Sequence, residues 1–153
     1  MIILDTNVIS EMIKARPSEA VLSWLTAHQS PGFYTTAVSQ AELHVGIEVL
    51  PVGKRRLSLE IAMDRLFRVF DGRVLPFDAS AARHFSQVIA KRRSIGRPIA
   101  QFDAMIASIA LARDYSLATR NGRDFEHCGV GLVNPWDPVN GGILPRIIVA
   151  PEL

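Results

Sequence analysis

One cysteine, Cys128, occurs in 153 residues, so no intrachain disulfide can form and no cysteine-based zinc or iron–sulfur site is available. That scarcity points to a reducing compartment. Long hydrophobic runs are missing as well. The nearly apolar stretch from Ala104 to Ala112 contains Ser108 and falls far below the ~18 residues that a membrane span needs. At the N-terminus, Met1-Ile2-Ile3-Leu4 meets Asp5 before a leader-like apolar segment develops. A soluble cytoplasmic protein with no membrane association is expected. The histidines, His28, His44, His84 and His127, share no metal-ligand spacing, and no G-x-S-x-G, Walker A or G-x-G-x-x-G pattern occurs. Hydrolase-elbow, NTPase and dinucleotide chemistry are thereby excluded. Charge of one sign is not in large excess: the net charge of +2 permits polyanion binding without demanding it.

What is present is an ordinary globular composition. Hydrophobic residues make up 48% and charged residues 21%, which excludes intrinsic disorder and supplies a real core for one domain. The apolar run Ile2-Ile3-Leu4 reads as a strand buried on both faces. The helical spacing of Val8, Ile9, Met12 and Ile13 follows, ending near Arg16-Pro17, and a second helix opens at Pro17-Ser18-Glu19. Ser30-Pro31-Gly32 breaks that helix before a strand at Phe33–Thr36. The next helix, capped by Ser39 or a near neighbour, runs to about Val49, and another spans Lys54 to Phe70. A strand at Val74–Pro76, a helix from Ala79 to Arg93 capped by Asp78, an all-round apolar helix from Ile99 to Asp114, and strands at Ser116–Thr119 and Val130–Val133 complete the pattern. Arg120 to Asp124 reads as a polar turn. Alternating strands and helices predict an α/β domain whose parallel sheet is covered on both faces. This single domain occupies residues 1–138. The segment 139–153 stands outside the alternation as a C-terminal tail, read as an added strand, a partner-binding segment, or a cloning or frameshift remnant.

In such sheets the ligand crevice lies beyond the carboxyl ends of the strands. Asp5 stands at one such end and Asp124 follows another, although helix capping and turn formation also account for an Asp at those places. Glu42 and Asp103 fall in the first turns of apolar helices, where a carboxylate is costly unless it serves the helix N-terminus or a site. Together the four acids would ring one crevice. Charges 4 Å apart repel by about 4 kcal/mol per pair at an effective dielectric near 20, so a cation must compensate. All-oxygen ligation suits Mg²⁺ or Mn²⁺, and acidic sites of this kind hydrolyse phosphodiesters. The basic clusters around Lys54, Lys91 and Arg120 would then contact a phosphate backbone, though Lys91-Arg92-Arg93 also suits a helix C-terminus with no RNA present. Arg120 and Arg123 are the substrate-backbone candidates. No aromatic residue interleaves Arg120 and Arg123 to suggest base stacking.

Four motifs in order, Ile3-Leu4-Asp5-Thr6-Asn7, Val38-Ser39-Gln40-Ala41-Glu42-Leu43, Phe102-Asp103-Ala104-Met105-Ile106-Ala107 and Ala118-Thr119-Arg120-Asn121-Gly122-Arg123-Asp124-Phe125, make the chain resemble a PIN-domain ribonuclease toxin of the VapC family, in its FitB-like branch. The resemblance implies a three-layer α/β/α fold with a central parallel sheet. It also implies a metal-dependent endoribonuclease acting as the toxin of a bacterial type II toxin–antitoxin system. By position, Asp5, Glu42 and Asp103 would be catalytic metal-site acids. Related sequences place the fourth acid at the position of either Asn121 or Asp124; here only Asp124 is acidic, and Asn121 would be its neutral neighbour. Thr6 and Thr119 would orient carboxylates through their hydroxyls. The implied cofactor is Mg²⁺ or Mn²⁺. The implied partners are an RNA substrate, a small VapB- or FitA-like antitoxin and a second copy of the chain, with a larger assembly on DNA through the antitoxin.

Two rival functions remain open from sequence. One is a catalytically silent PIN domain that binds RNA or antitoxin, against which the complete acid set argues. The other is a haloacid-dehalogenase-like phosphatase using Asp5 as nucleophile, against which Asn7 argues, because a second Asp normally stands there.

Overall fold

A computed structural model describes residues 1–28 and 32–137. The chain runs β1 (Ile2–Leu4), α1 (Thr6–Met12), α2 (Glu19–Ala27), β2 (Phe33–Thr36), α3 (Ala37–Glu48), α4 (Lys54–Val69) and β3 (Val74–Leu75). It continues through α5 (Ala79–Ser94), α6 (Gln101–Arg113), β4 (Ser116–Ala118), α7 (Gly122–Phe125) and β5 (Leu132–Val133). The strands pair in the order β3-β2-β1-β4-β5, and every pairing is parallel. The tail at 139–153, and most of the break before β2, lie outside the described residues. Among the described residues no helix is long and apolar enough to cross a membrane.

The strand order explains the layers. From β1 the chain builds outward to β2 and β3, then returns to place β4 on the other side of β1. Right-handed crossovers therefore put the first helices on one face and the later ones on the other. Two cores follow. Leu4, Val8, Ile9, Val21, Leu43, Met63 and Leu66 pack on one face, while Ile3, Val88, Ile106, Ile109, Leu117 and Phe125 pack on the other. Successive residues Ile3 and Leu4 divide between the two faces, as the alternation of a strand buried on both sides requires. The three-layer α/β/α arrangement expected from sequence is the one observed. Helix α6 is its apolar centrepiece, with Ala104 and the run from Ile106 to Ala110 buried.

Several boundaries differ for identifiable reasons. Helix α1 stops at Met12, four residues before the expected end, because the buried Glu11 turns its carboxylate back to the Ser18 amide (3.0 Å) and to Lys14 Nζ (2.5 Å). The chain is thereby folded back before α2. Thr36, not Ser39, caps α3, accepting from the Ser39 amide at 2.9 Å. The expected polar turn after β4 contains the one-turn helix α7. Asp78 caps α5 as expected, accepting from the Ser80 and Ala81 amides at 3.0 Å.

Candidate active site

Reversal of the strand order at β1 opens a crevice beyond the carboxyl ends of β1 and β4, the place where open α/β sheets hold ligands. Both strands end in polar residues there. Asp5 follows β1 and is 5% exposed; Thr119 follows β4 and is 1% exposed. Asp5 does cap α1, accepting the Thr6 amide at 2.8 Å through Oδ1. Capping uses only that oxygen. Oδ2 accepts from the Thr119 hydroxyl at 2.7 Å and from Asn7 Nδ2 at 2.6 Å. Despite these bonds the Asp5 carboxyl sits above its ordinary range, because burial outweighs them and the nearby Glu42 charge adds to it.

Glu42 comes from α3 and accepts the Thr6 hydroxyl at 2.5 Å. One residue therefore serves two acids: Thr6 donates to Asp5 with its amide and to Glu42 with its hydroxyl. Asp103 stands in the first turn of α6. Its carboxyl is pushed up to about 6, first by desolvation and then by the charges of Asp5, Asp124 and Glu42, with Arg92 opposing. Asp103 thus feels the charges of the three other candidate acids. Asp124 stands on α7 and is exposed, and its charge is among those that Asp103 feels.

The remaining candidates divide. Thr6 and Thr119 do orient carboxylates. Asn121 takes part through its backbone, its amide donating to Thr119 Oγ1 at 3.0 Å and its carbonyl accepting the Asp124 amide at 2.9 Å. Arg120 is drawn to the rim by its backbone amide, which donates to Asn7 Oδ1 at 3.1 Å, while its guanidinium lies 5.5 Å from the Trp136 ring centroid. Arg123 is exposed on α7.

Two residues emerge that the sequence analysis did not assign. Asn7 bonds Asp5, the Thr119 hydroxyl at 3.0 Å and the Arg120 backbone, so it knits the ends of β1 and β4 together. Its place two residues after Asp5 is the one sequence signal for it. Arg92 is the second. Within a basic run that reads as a helix C-terminus or a phosphate-backbone contact, it is 5% exposed and donates to the carbonyls of Arg97 (2.6 Å) and Glu126. It therefore ties the approach to α6 to the segment after α7.

Removing the Thr119 hydroxyl should be costly. Thr119→Val leaves Asp5 without one donor and the Asn7 and Asn121 N–H groups without an acceptor, so a loss of ~2–3 kcal/mol is expected in chemical denaturation. Thr119→Ser should recover most of it.

Among the described residues no three acidic, cysteine or imidazole side chains are gathered tightly enough to hold an ion. As built, the site is an open ring of like charges. Its donor chemistry nevertheless fits a hard divalent cation: every acid is an oxygen donor, and the strain of bringing them together is registered at Asp103.

Comparison with known proteins identifies the family. The PIN domain family model matches residues 2–130. The chain is 40% identical to the VapC ribonuclease Y4jK of Sinorhizobium fredii over 139 residues, covering 90% of this chain and 99% of that protein. It is 36% identical to toxin FitB of Neisseria gonorrhoeae over 137 residues, 89% of this chain and 99% of that one. A structure of FitAB bound to an IR36 DNA fragment superposes with a TM-score of 0.83 at 36% identity, covering 90% of this chain and 96% of that chain.

Proposed function

Because the chain belongs to the PIN domain family, with a VapC ribonuclease and a FitB toxin among its relatives, we propose that it is an endoribonuclease whose catalytic centre is the ring Asp5, Glu42, Asp103 and Asp124. It is the toxin of a toxin–antitoxin pair, and its partner is a small FitA- or VapB-like antitoxin. DNA contact in such an assembly belongs to the antitoxin. RNA as substrate fits the cytoplasmic location expected from sequence. Family membership sets aside the phosphatase reading of Asp5, and the complete acid set disfavours a silent binding module.

The observation that carries the catalytic assignment is electrostatic. One half-buried carboxyl, Asp103, feels three others that arrive from three separate elements. Burying charges of one sign together costs stability without structural return, so the ring is best understood as a place where a cation and a phosphodiester meet. The four acids would hold Mg²⁺ or Mn²⁺. When bound, the ion supplies positive charge against the phosphodiester and a hydroxide source near neutral pH. The protein's own part is positioning. Thr119, Asn7 and the Thr6 amide hold both oxygens of Asp5, the Thr6 hydroxyl turns Glu42 into the crevice, and exposed Asp124 leaves the mouth open to a polymer. Arg120 and Arg123, at the rim, steer the RNA backbone.

The test is cleavage of single-stranded and folded RNAs by antitoxin-free protein in Mg²⁺, in Mn²⁺ and in EDTA. Internal cuts that stop in EDTA and return with added metal are expected. Cleavage undiminished in EDTA would overturn the metal assignment, and no cleavage of any RNA by folded protein would overturn the nuclease.

A further inference from the structure

The four acids fall into two pairs by how their helices begin. Asp5 itself caps α1, Thr36 caps α3, and Thr6 joins the pair by bonding both Asp5 and Glu42. Helices α6 and α7, which carry Asp103 and Asp124, begin at Ala100 and Asn121 with no side-chain cap. A helix start without a cap leaves its first amides to other partners, and a single turn such as α7 does not stand alone. Core packing fixes the far side of each element, through Ala104 on α6 and Phe125 on α7. The entry to α7 is tied to Thr119 by the Asn121 amide. Its exit and the approach to α6 meet at one buried side chain, Arg92.

Arg92 lies in the last turn of α5 and is buried, whereas Lys91 and Arg93 on either side are exposed. Its Nε donates to the Arg97 carbonyl at 2.6 Å, and the Arg97 amide donates back to the Arg92 carbonyl at 2.9 Å, so the turn through Gly96, at φ +68°, is held from both ends. That turn leads through Pro98 and Ala100 into the first turn of α6 and Asp103. Nη1 donates to the carbonyl of Glu126, the residue that closes α7 after Asp124. The planar guanidinium presents separate donors at fixed angles, which lets one side chain hold carbonyls on two segments. Both acceptors are neutral, and among the described residues no carboxylate forms an ion pair with Arg92. A buried cation is costly without an answering charge. Asp103 lies within its electrostatic reach, for Arg92 opposes the rise of that carboxyl. Resting on the ribonuclease reading, we infer that Arg92 is a positioning residue of the RNA-cleaving centre: its guanidinium bridges the connection entering α6 and the segment leaving α7, and so sets the spacing of the Asp103 and Asp124 carboxylates. Being buried, it acts through these acids and not on RNA. Arg97 and Glu126 also pair outside, Nη1 to Oε2 at 3.1 Å, but that exposed pair is screened and adds little.

The test compares Arg92→Lys, which keeps the charge but replaces the fork with a single ammonium, Arg92→Met, which removes both, and Glu126→Gln, which breaks only the exposed pair. Melting curves establish that each is folded. At saturating Mg²⁺, Arg92→Lys should lower kcat about tenfold with KM for RNA unchanged, and Mg²⁺ titration followed by the Asp103 and Asp124 amide signals of the isotope-labelled chain should need about tenfold more ion. In the metal-free chain, the Asp124 and Cys128 amides, which bond back across α7, should exchange with solvent about tenfold faster in that variant. Glu126→Gln should match the wild type throughout. Wild-type kcat and Mg²⁺ midpoint in Arg92→Lys overturn the bridge, and a defect confined to Arg92→Met assigns the effect to charge alone and overturns it too. Raised KM with wild-type kcat makes Arg92 an RNA contact, and a Glu126→Gln defect equal to that of Arg92→Lys makes the exposed pair the tie; either overturns the inference. Should Arg92→Lys not fold, the wild type decides: the Arg92 Nε–H signal should shift with the Asp103 and Asp124 amides at one Mg²⁺ midpoint, and a signal that does not move overturns the bridge. No cleavage by the wild type overturns the ribonuclease, while the exchange and Mg²⁺ titrations still decide the bridge.

Discussion

Asp103→Asn should cleave no RNA and yet melt at a higher temperature than the wild type in metal-free buffer at pH 8. Both effects come from the same charge. In the folded chain the Asp103 carboxyl is pushed from 3.8 up to about 6 by desolvation and by Asp5, Asp124 and Glu42. An acid with a raised folded pKa binds its proton more tightly in the native state, so stability falls as pH rises from about 4 through about 6 and then levels. A shift of this size corresponds to ~3 kcal/mol at most, and solvent screening at a half-exposed group reduces it to ~1–2 kcal/mol. That is roughly 2–8 °C in melting temperature for a chain of this size. Asn keeps the shape and discards the charge. The advantage should vanish below about pH 4, where both proteins are neutral at this position, and should shrink as Mg²⁺ is added, because the wild type, with all four proposed ligands, would gain more from the ion than the variant. Melting curves at pH 4 and pH 8, with and without Mg²⁺, decide it. A variant less stable than wild type at pH 8 would mean that Asp103 is a structural acid.

Asn7→Asp should be among the most destabilising single-atom-scale changes in the chain. Asn7 Nδ2 donates to Asp5 Oδ2 at 2.6 Å, so the substitution replaces a donor with a second carboxylate against a buried one. At ~4 kcal/mol for like charges 4 Å apart at an effective dielectric near 20, the repulsion and the lost bond make a loss of ~2–4 kcal/mol reasonable at pH 7. The penalty exists only while both groups are ionised. It should therefore decrease as pH falls toward 4, unlike that of Asn7→Ala, which loses the hydrogen bonds at every pH. Urea midpoints of the two variants at pH 7 and pH 4.5 separate these terms. Equal losses at both pH values would show that Asn7 does not face the Asp5 charge.

These two residues also show what the sequence made legible. Asp103 stood out because a carboxylate inside Phe102-Asp103-Ala104-Met105 conflicts with an apolar helix, and local conflict is readable without a fold. Asp5 was legible at the end of a short apolar strand, whereas Thr119 was singled out only through the family motif that contains it. Asn7 was read only as a departure from a phosphatase pattern, since its partners Thr119 and Arg120 are more than a hundred residues away and no local conflict marks it. Arg92 was hidden by its neighbours: Lys91 and Arg93 are solvated, and nothing in a run of three cations says which one turns inward. Helix α1 ended early for a similar reason, because the bond from Ser18 to Glu11 is tertiary in character and invisible to helical spacing. The parallel three-layer fold, by contrast, follows from the alternation of strand and helix, which is a property of the whole chain.

If the four acids, from four elements, act as one RNA-cleaving centre, each is needed for cleavage. The most direct measurement is the RNA cleavage rate of four proteins purified in parallel, Asp5→Asn, Glu42→Gln, Asp103→Asn and Asp124→Asn, each shown by melting to be folded, against the wild type in saturating Mg²⁺. A loss of at least about a hundredfold is expected in every one, since each amide removes a charge from the same site. Wild-type cleavage by any folded member of the four would remove that residue from the centre, and wild-type cleavage by Asp5→Asn or Asp103→Asn would contradict the account as a whole.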